Sequence, residues 1–235
     1  MAAGSKSFTP IPVAEPAGSG PGTATAQASS FQRVRVWGEI LLVFFLLELI
    51  FWTPRSLAHS GLIVAAVGSS IWLGFRGRRR EELGFLWPSR AGTLTILASG
   101  CVVAIAVPAV VLLSGHPVPA NPDWPKFQNV WPYVLWAVGQ QFLLQSFFYV
   151  RFESLLGTRA AVIVSTVLFA LLHLPNLPLT AMTVLAGLFF TEMFRTYRSL
   201  YPLGIAHAVM GIAIAYSFPD ALMHHMRVGL AYWQF

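Results

Sequence analysis

Charge is scarce in this chain of 235 residues, of which only 10% are Asp, Glu, Lys or Arg. An average soluble domain carries about 25% charged residues. Hydrophobic residues make up 56% of the chain, and the mean hydropathy is +0.65. This composition excludes an ordinary soluble enzyme and a disordered chain, and it predicts an integral membrane protein.

Cysteine is nearly absent as well. Because Cys101 is the single cysteine, an internal disulfide and a cysteine-based zinc site are excluded.

Acidic residues are outnumbered by basic ones, with 9 Asp and Glu against 15 Lys and Arg and a formal net charge of +6. A positive balance is also found in nucleic-acid-binding proteins. Here the basic residues cluster at the edges of apolar runs, which favours contact with a membrane surface instead. We therefore expect the lipid bilayer to be a partner of this protein and nucleic acid not to be one.

Long apolar runs begin after Arg35, and a helix needs about 20 residues to span the hydrocarbon core of a bilayer. Seven segments qualify as candidate spans, although some are short: 37–52, 62–75, 91–113, 131–156, 160–174, 179–194 and 200–218. The sequence thus predicts an all-α, polytopic membrane helix bundle of about seven transmembrane helices within residues 31–219. Residues 1–30 are rich in Ala, Gly, Pro, Ser and Thr and predict a disordered tail. Residues 220–235 predict an interfacial C-terminal segment.

The orientation of such a bundle follows from the positions of its Lys and Arg residues. With seven crossings, twelve of the 15 fall on the side of the N-terminus, and three (Arg55, Lys126 and Arg227) fall on the other. Cytoplasmic loops carry the excess of basic residues in membrane proteins. We therefore expect a cytoplasmic N-terminus and a location in a bacterial inner (cytoplasmic) membrane.

Polar side chains within spans are energetically costly and are candidates for function. The densest group is Gln140, Gln141 and Gln145 in the fourth span. With 3.6 residues per helical turn, Gln141 and Gln145 share one face and Gln140 lies about 100° to the side. One interpretation is a purely structural set of interhelical hydrogen bonds, each worth about 0.6 kcal/mol. The other is a polar pocket inside the bundle.

Two intramembrane histidines favour the pocket. His173 ends the fifth span, and His207 lies in the seventh after a run of small residues. A neutral imidazole can bind a metal, relay a proton or donate a hydrogen bond to an oxyanion. At a rise of 1.5 Å per residue, however, Gln140, His173 and His207 come out at different depths. A shared pocket then requires tilted helices or a re-entrant turn at 175–178.

Together these residues resemble the CPBP family of intramembrane proteases, which includes the CAAX prenyl proteases and the bacteriocin-immunity proteins. The family pattern is EExxxR, then FxxxH, then HxxxN or HxxxD. The resemblance covers roughly residues 83–211. FxxxH is matched by Phe169 to His173, and His207 matches the first position of the last motif. The chain departs from the pattern elsewhere: Gln140, Gln141 and Gln145 replace EExxxR, and Gly211 replaces the amide of HxxxN.

The resemblance assigns catalytic positions to Gln140, Gln141, Gln145, His173 and His207, and it implies a substrate pocket that includes Phe169 and Gly211. Glu192 is a further candidate for this pocket, and the alternative is that it pairs with Arg195 or Arg198 at the cytoplasmic edge. Glu153 is expected to pair with Arg151 or Arg159. In the family a glutamate is thought to activate water for attack on a peptide carbonyl. A glutamine amide cannot serve as that base. Neither a metal site nor a cofactor is predicted, since two histidines alone are too few for a catalytic zinc site.

Three hypotheses for function follow from these observations. The first is a CPBP-type intramembrane endopeptidase homologue acting on a membrane-embedded, possibly prenylated peptide, with its proteolysis altered or lost. Retained activity would require another base, such as a histidine, Glu192 or Glu48. The second is a protein without protease activity that binds a lipid, an isoprenoid or a partner helix in the same pocket. The third is different chemistry on a lipid or isoprenoid, with the histidines as acid or base.

Overall fold

The computed structural model of the protein describes residues 22–115 and 127–234, with side-chain surroundings for 30–115 and 130–234. Its regular elements are helices, apart from one isolated bridge between Phe85 and Ser199. This confirms the prediction of an all-α membrane helix bundle. The longer helices are α1 (Gly22–Trp52), α2 (Leu57–Phe75), α3 (Arg90–Leu113), α4 (Phe127–Gln141), α5 (Val150–Leu156), α6 (Thr158–Leu171), α7 (Leu177–Tyr197) and α8 (Leu200–Ser217).

Each of the seven predicted segments coincides with helix in the structure. Four helices, α2, α3, α7 and α8, are long and apolar enough to cross a membrane by length and composition. Helix α6 is apolar but only 14 residues long. The predicted first span lies in the second half of α1, and the predicted fourth span runs through α4 and α5. The protein is therefore an integral membrane protein.

The predicted terminal segments are described only in part. Residues 1–21, most of the predicted tail, lie outside the described residues, and α1 begins at Gly22. At the other end, α9 (Asp220–Met223) and two 3₁₀ turns, His224–Met226 and Gly229–Trp233, follow α8. This C-terminal segment packs on the bundle, where the Gly229 amide donates to the Leu174 carbonyl at 2.8 Å.

The polar stretch of the fourth predicted span differs from a regular α-helix. Between α4 and α5 the chain forms an eight-residue π-helix, Phe142–Tyr149, without a break in the helical path. π-helical geometry is rare and is often found at functional sites. Six of the eight residues are buried, so this π-helix lies inside the bundle. The Ser146 hydroxyl donates to the Leu83 carbonyl at 2.7 Å, which ties the π-helix to the loop before α3.

Two local features redirect the chain around the interior. Gly157 joins α5 to α6 with a φ of 82°, a conformation that L side chains rarely adopt. Asn176 caps α7, because its side-chain oxygen accepts from the Leu179 amide at 3.2 Å. The four residues between Leu171 and Asn176 form a turn, so His173 lies beyond the end of α6.

Arg151 holds three elements together from within the bundle. Its side chain is only 3% exposed and pairs with Glu39 of α1 at 3.0 Å. It also donates to the carbonyls of Leu73 at 2.7 Å and Phe147 at 3.2 Å. Glu39 and two backbone carbonyls therefore satisfy the charge of Arg151 inside the protein.

Candidate functional site

A chain of hydrogen bonds links the amides of the π-helical region to α8. The Gln145 Nε2 donates to Gln141 Oε1 at 3.2 Å, and Gln141 Nε2 lies 3.0 Å from His207 Nδ1. Gln141 and Gln145 are both fully buried. Their mutual bond agrees with the prediction that they share a helix face. The structure thus joins two of the predicted catalytic positions to a third on another helix.

Phe169 connects the two histidines. Its ring centroid lies 4.7 Å from that of His173 and 6.2 Å from that of His207. His173 Nδ1 lies 2.7 Å from the Phe169 carbonyl oxygen, which can only accept. The two histidines therefore flank one phenylalanine, although a uniform helical rise placed them at different depths. The uniform rise of α6 does not apply to His173, because this residue lies in the turn after Leu171.

These side chains surround a cavity of about 1060 Å³, including its open mouth. Five of the predicted site residues line it: Gln140, Phe169, His173, His207 and Gly211. Gln141 and Gln145 lie behind this wall and reach the cavity through His207. Most of the remaining wall is apolar, with Phe51, Trp136, Leu144, Met182, Phe190 and Met210 among its residues. Such a mixture of an apolar wall and a few convergent polar groups is typical of ligand pockets.

Gly211 lies against a residue that the sequence analysis did not single out. A Cβ added at Gly211 would overlap the hydroxyl oxygen of Tyr133, which also lines the cavity. The phenol of Tyr133 therefore fills the position where the family pattern places an amide side chain. Tyr133 precedes Gly211 by 78 positions and belongs to α4, so no local motif could have revealed this contact.

Glu192, predicted as a pocket residue, lies outside the cavity. Its carboxylate pairs with Arg195, three residues later in α7, and its side chain is 45% exposed. The reason is its position on α7: Glu192 follows Phe190, a lining residue, by two positions, which turns its side chain about 200° away from the cavity. The expectation that Glu192 belongs to the site is therefore corrected.

The other acidic side chains also find partners away from the cavity. Glu48, proposed as a substitute base, accepts from Trp52 Nε1 at 3.0 Å. Glu153 pairs with Arg198 and accepts from the Tyr149 hydroxyl at 3.1 Å, rather than pairing with Arg151 or Arg159 as its position suggested. Among the described residues, no carboxylate lines the cavity. No cluster of three or more His, Cys, Asp or Glu able to hold a metal occurs in these residues either.

The C-terminal segment closes one side of the cavity. Met226 and Val228 contribute to the lining. Asn176, which is fully buried, donates to the carbonyls of Met223 at 2.7 Å and Arg227 at 3.2 Å. One asparagine therefore both caps α7 and holds the segment that covers the cavity. A Pro-Asn-Leu-Pro stretch signals a helix start in the sequence, but it carries no signal for this second role.

Comparison with known families agrees with the motif pattern. A family model described as Type II CAAX prenyl endopeptidase Rce1-like matches residues 122–213. The matched region contains the amide cluster, Phe169, both cavity histidines and Gly211, and it ends within α8. No curated protein and no solved structure matches the chain.

Proposed function

We propose that this chain is a member of the CPBP family of CAAX-protease-like membrane proteins that has lost proteolysis and uses the cavity to bind an apolar membrane ligand. The match of residues 122–213 to the Rce1-like family model supports the family. One observation carries the proposal. The side chain at the second glutamate position of the family motif, Gln141, has its oxygen and its nitrogen engaged in a chain of neutral groups ending at His207.

Peptide hydrolysis at this site would need a group that takes a proton from water. A carboxylate in a buried site can do so, whereas an amide nitrogen or oxygen has no useful basicity near neutral pH. Gln141 occupies its hydrogen-bonding atoms with Gln145 and His207. The two carboxylates that were considered as substitute bases, Glu48 and Glu192, bond to Trp52 and Arg195 instead. These contacts support loss of the hydrolytic step.

The shape and lining of the cavity support binding. Most of the side chains that line the cavity are apolar and a few polar groups converge on it, as is usual for small-molecule pockets. Phe51, Trp136 and Phe190 provide apolar surface, and burial of apolar ligand surface contributes about 25 cal/mol per Å². A lipid or isoprenoid chain suits this wall better than a peptide backbone, whose amides would need many hydrogen-bonding partners.

A second candidate function is favoured by the orientation of His173. Because Nδ1 faces the Phe169 carbonyl, the other ring nitrogen is left to act as a base. A hydrolase that uses His173 in place of a glutamate is therefore the alternative. Such a hydrolase would bind the same kind of ligand in the same cavity as the binding protein proposed above, but it would retain proteolytic activity.

The two candidates differ in a cleavage assay with the full chain in proteoliposomes and a farnesylated CAAX peptide. We expect no cleavage by the natural chain above that of protein-free vesicles. We also expect a bound apolar ligand to accompany the purified protein in native mass spectrometry. Cleavage that disappears in His173→Ala but persists in His59→Ala, a histidine of α2 outside the cavity, would contradict the proposal and support the hydrolase.

For the setting of this function, we propose a bacterial inner membrane with the N-terminus in the cytoplasm. The support is the excess of basic residues on the side of the N-terminus. In the structure Arg78, Arg151 and Arg198 gather at one end of the bundle through their contacts with Ser154, Glu39 and Glu153.

A further inference from the structure

The hydrogen bonds around His207 determine which of its ring nitrogens carries the proton. Gln141 Nε2 is an amide NH₂ group and can only donate, so His207 Nδ1 must accept. An imidazole that accepts at Nδ1 carries its proton on Nε2. His207 therefore presents an N–H donor on the side of its ring away from Gln141, and His207 is a lining residue of the cavity.

The direction in which the hydrogen bonds of Gln141 and Gln145 run follows from the one amide atom, Gln145 Oε1, that has no partner among the described residues. With Gln145 Nε2 donating to Gln141 Oε1, the buried Gln145 Oε1 has no hydrogen-bond partner among the described residues. Reversing both amides would instead leave an NH₂ group buried without acceptors. Buried orphan N–H groups are rarer than under-satisfied carbonyl oxygens. The observed direction, which leads donors toward the cavity, is therefore the favoured one.

His173 has the opposite tautomer to His207, with its proton on Nδ1. Since the Phe169 carbonyl can only accept, His173 Nδ1 carries a proton. No carboxylate contacts His173 in the described part of the chain, and a second proton would leave an uncompensated charge in the buried site. The ring is then neutral, and its Nε2 is a hydrogen-bond acceptor.

The two histidines thus offer the cavity one donor and one acceptor on either side of Phe169. The other polar residues of the lining include Gln140, Tyr133 and Thr183, which are neutral as well. Neither Lys nor Arg is found among its described lining residues, and neither are Asp and Glu. An ionised head group, such as a phosphate or a carboxylate, would therefore be buried without a counter-charge. A neutral hydroxyl fits, because it can accept from an N–H group and donate to a ring nitrogen at the same time.

We propose that the cavity binds a neutral long-chain alcohol, whose hydroxyl accepts from His207 Nε2 and donates to His173 Nε2, directly or through one bridging water. This inference rests on the proposed function, because it names the head group of the ligand that the cavity holds. The chain of the alcohol lies against Trp136, Phe190 and the other apolar residues. Gln141 and Gln145 are positioning residues, since they act only through the tautomer of His207.

Three ligands that share one C15 isoprenoid chain test the head group on the natural, full-length protein: farnesol, its methyl ether and its phosphate monoester. Binding is measured for each in lipid nanodiscs by native mass spectrometry. We expect farnesol to bind about tenfold more tightly than the ether, a difference of about 1.4 kcal/mol. The ether lacks the proton for His173. The phosphate should bind more weakly than the ether, because its charge has no partner in the cavity.

The possible outcomes separate this inference from the proposed function. Equal binding of alcohol and ether, or tighter binding of the phosphate, would overturn the alcohol proposal and leave a ligand pocket in place. Absence of binding by all three would overturn both. A second readout uses ¹⁵N-labelled histidine, for which NMR should report His207 protonated at Nε2 and His173 at Nδ1. The opposite tautomer at either residue would also contradict the proposal.

A matched pair of variants assigns the effect to the two rings. In His173→Phe, farnesol should bind no better than its methyl ether, while binding of the ether itself should be unchanged. The control is His59→Phe in α2, a histidine that does not line the cavity, in which the preference for farnesol should persist. A farnesol preference that survives in His173→Phe would contradict the role of His173.

Discussion

Two polar regions of one continuous helical run, from α4 through the π-helix to α5, differ in their chemistry. The first contains Gln140, Gln141 and Gln145, which are neutral and face or approach the cavity. The second contains Arg151 and Glu153, whose charges pair with Glu39 and Arg198. Arg151 follows Gln145 by only six positions. The chain thus tolerates ionised groups inside the bundle, but it places them where they join helices and keeps them away from the cavity.

This difference indicates that the neutrality of the cavity is a feature of this protein and not a general consequence of burial in a membrane. Arg151 is nearly inaccessible, yet it keeps its charge because one carboxylate, two carbonyls and the Phe147 ring surround it. The family pattern places charged residues at the amide positions as well. Here those positions contain amides, and the charged groups remain only in the second region.

The largest effect is expected from breaking the ionic region with Arg151→Met. Removing the arginine leaves the carbonyl of Leu73 without this donor, and it leaves Glu39 with only the half-exposed Arg35 as a charged partner. Loss of one member of a buried ion pair costs about 3–5 kcal/mol. The free energy of unfolding should fall by that amount when it is followed by SDS titration of the purified protein.

The control for this prediction is the double variant Glu39→Gln/Arg151→Met, which removes both charges. We expect it to be more stable than Arg151→Met alone, because the carboxylate that loses its buried partner is removed as well. If the two variants were equally unstable, the loss would come from packing of the arginine side chain and not from its charge.

A smaller effect is expected from restoring the family amide in the neutral region with Gly211→Asn. The new side chain would overlap the Tyr133 hydroxyl, and overpacking of this kind costs about 1–3 kcal/mol. Shortening the tyrosine in Gly211→Asn/Tyr133→Leu should recover part of the loss, so the two changes should be non-additive in the free energy of unfolding. Gly139→Asn provides the control, because nothing lies within 4 Å of an added Cβ there. Additive behaviour would show that Tyr133 and Gly211 do not share one space.

The smallest effect is expected at Glu192, which sharpens the contrast between exposed and buried pairs. Its partner Arg195 lies on the same helix and both side chains are largely solvent-accessible, so the pair contributes little to stability. Glu192→Gln should leave the midpoint of thermal unfolding and the binding of farnesol unchanged. A loss of ligand binding in this variant would return Glu192 to the site from which the structure excludes it.

Helical periodicity alone was sufficient for part of the site. The i, i+4 spacing of Gln141 and Gln145 predicted their shared face, and the bond between them confirms it. The FxxxH spacing likewise brought Phe169 and His173 together, and their rings are in contact. Both contacts lie within one turn of a single stretch of chain, where backbone geometry determines which side chains meet.

Contacts between distant parts of the chain could not be predicted in the same way. The sequence suggested Arg159 or Arg151 as the partner of Glu153, whereas Arg198 fills that role. It suggested Glu192 for the pocket, and it offered no sign of Tyr133 beside Gly211. The sequence also left open whether His173 and His207 share a pocket, and both line one cavity in the structure.

By itself, the sequence determined that this is an α-helical membrane protein with amides where the CPBP pattern has charged groups, because composition and spacing are properties of the chain alone. Only the tertiary structure decided that His173, His207 and Tyr133 line one cavity, that Gln141 bonds to His207 behind it, and that the carboxylates of the described residues lie elsewhere. The physical reason is that such meetings depend on how helices tilt, turn and pack. Those arrangements arise from the sum of many contacts across the bundle and leave no periodic signal in any single segment.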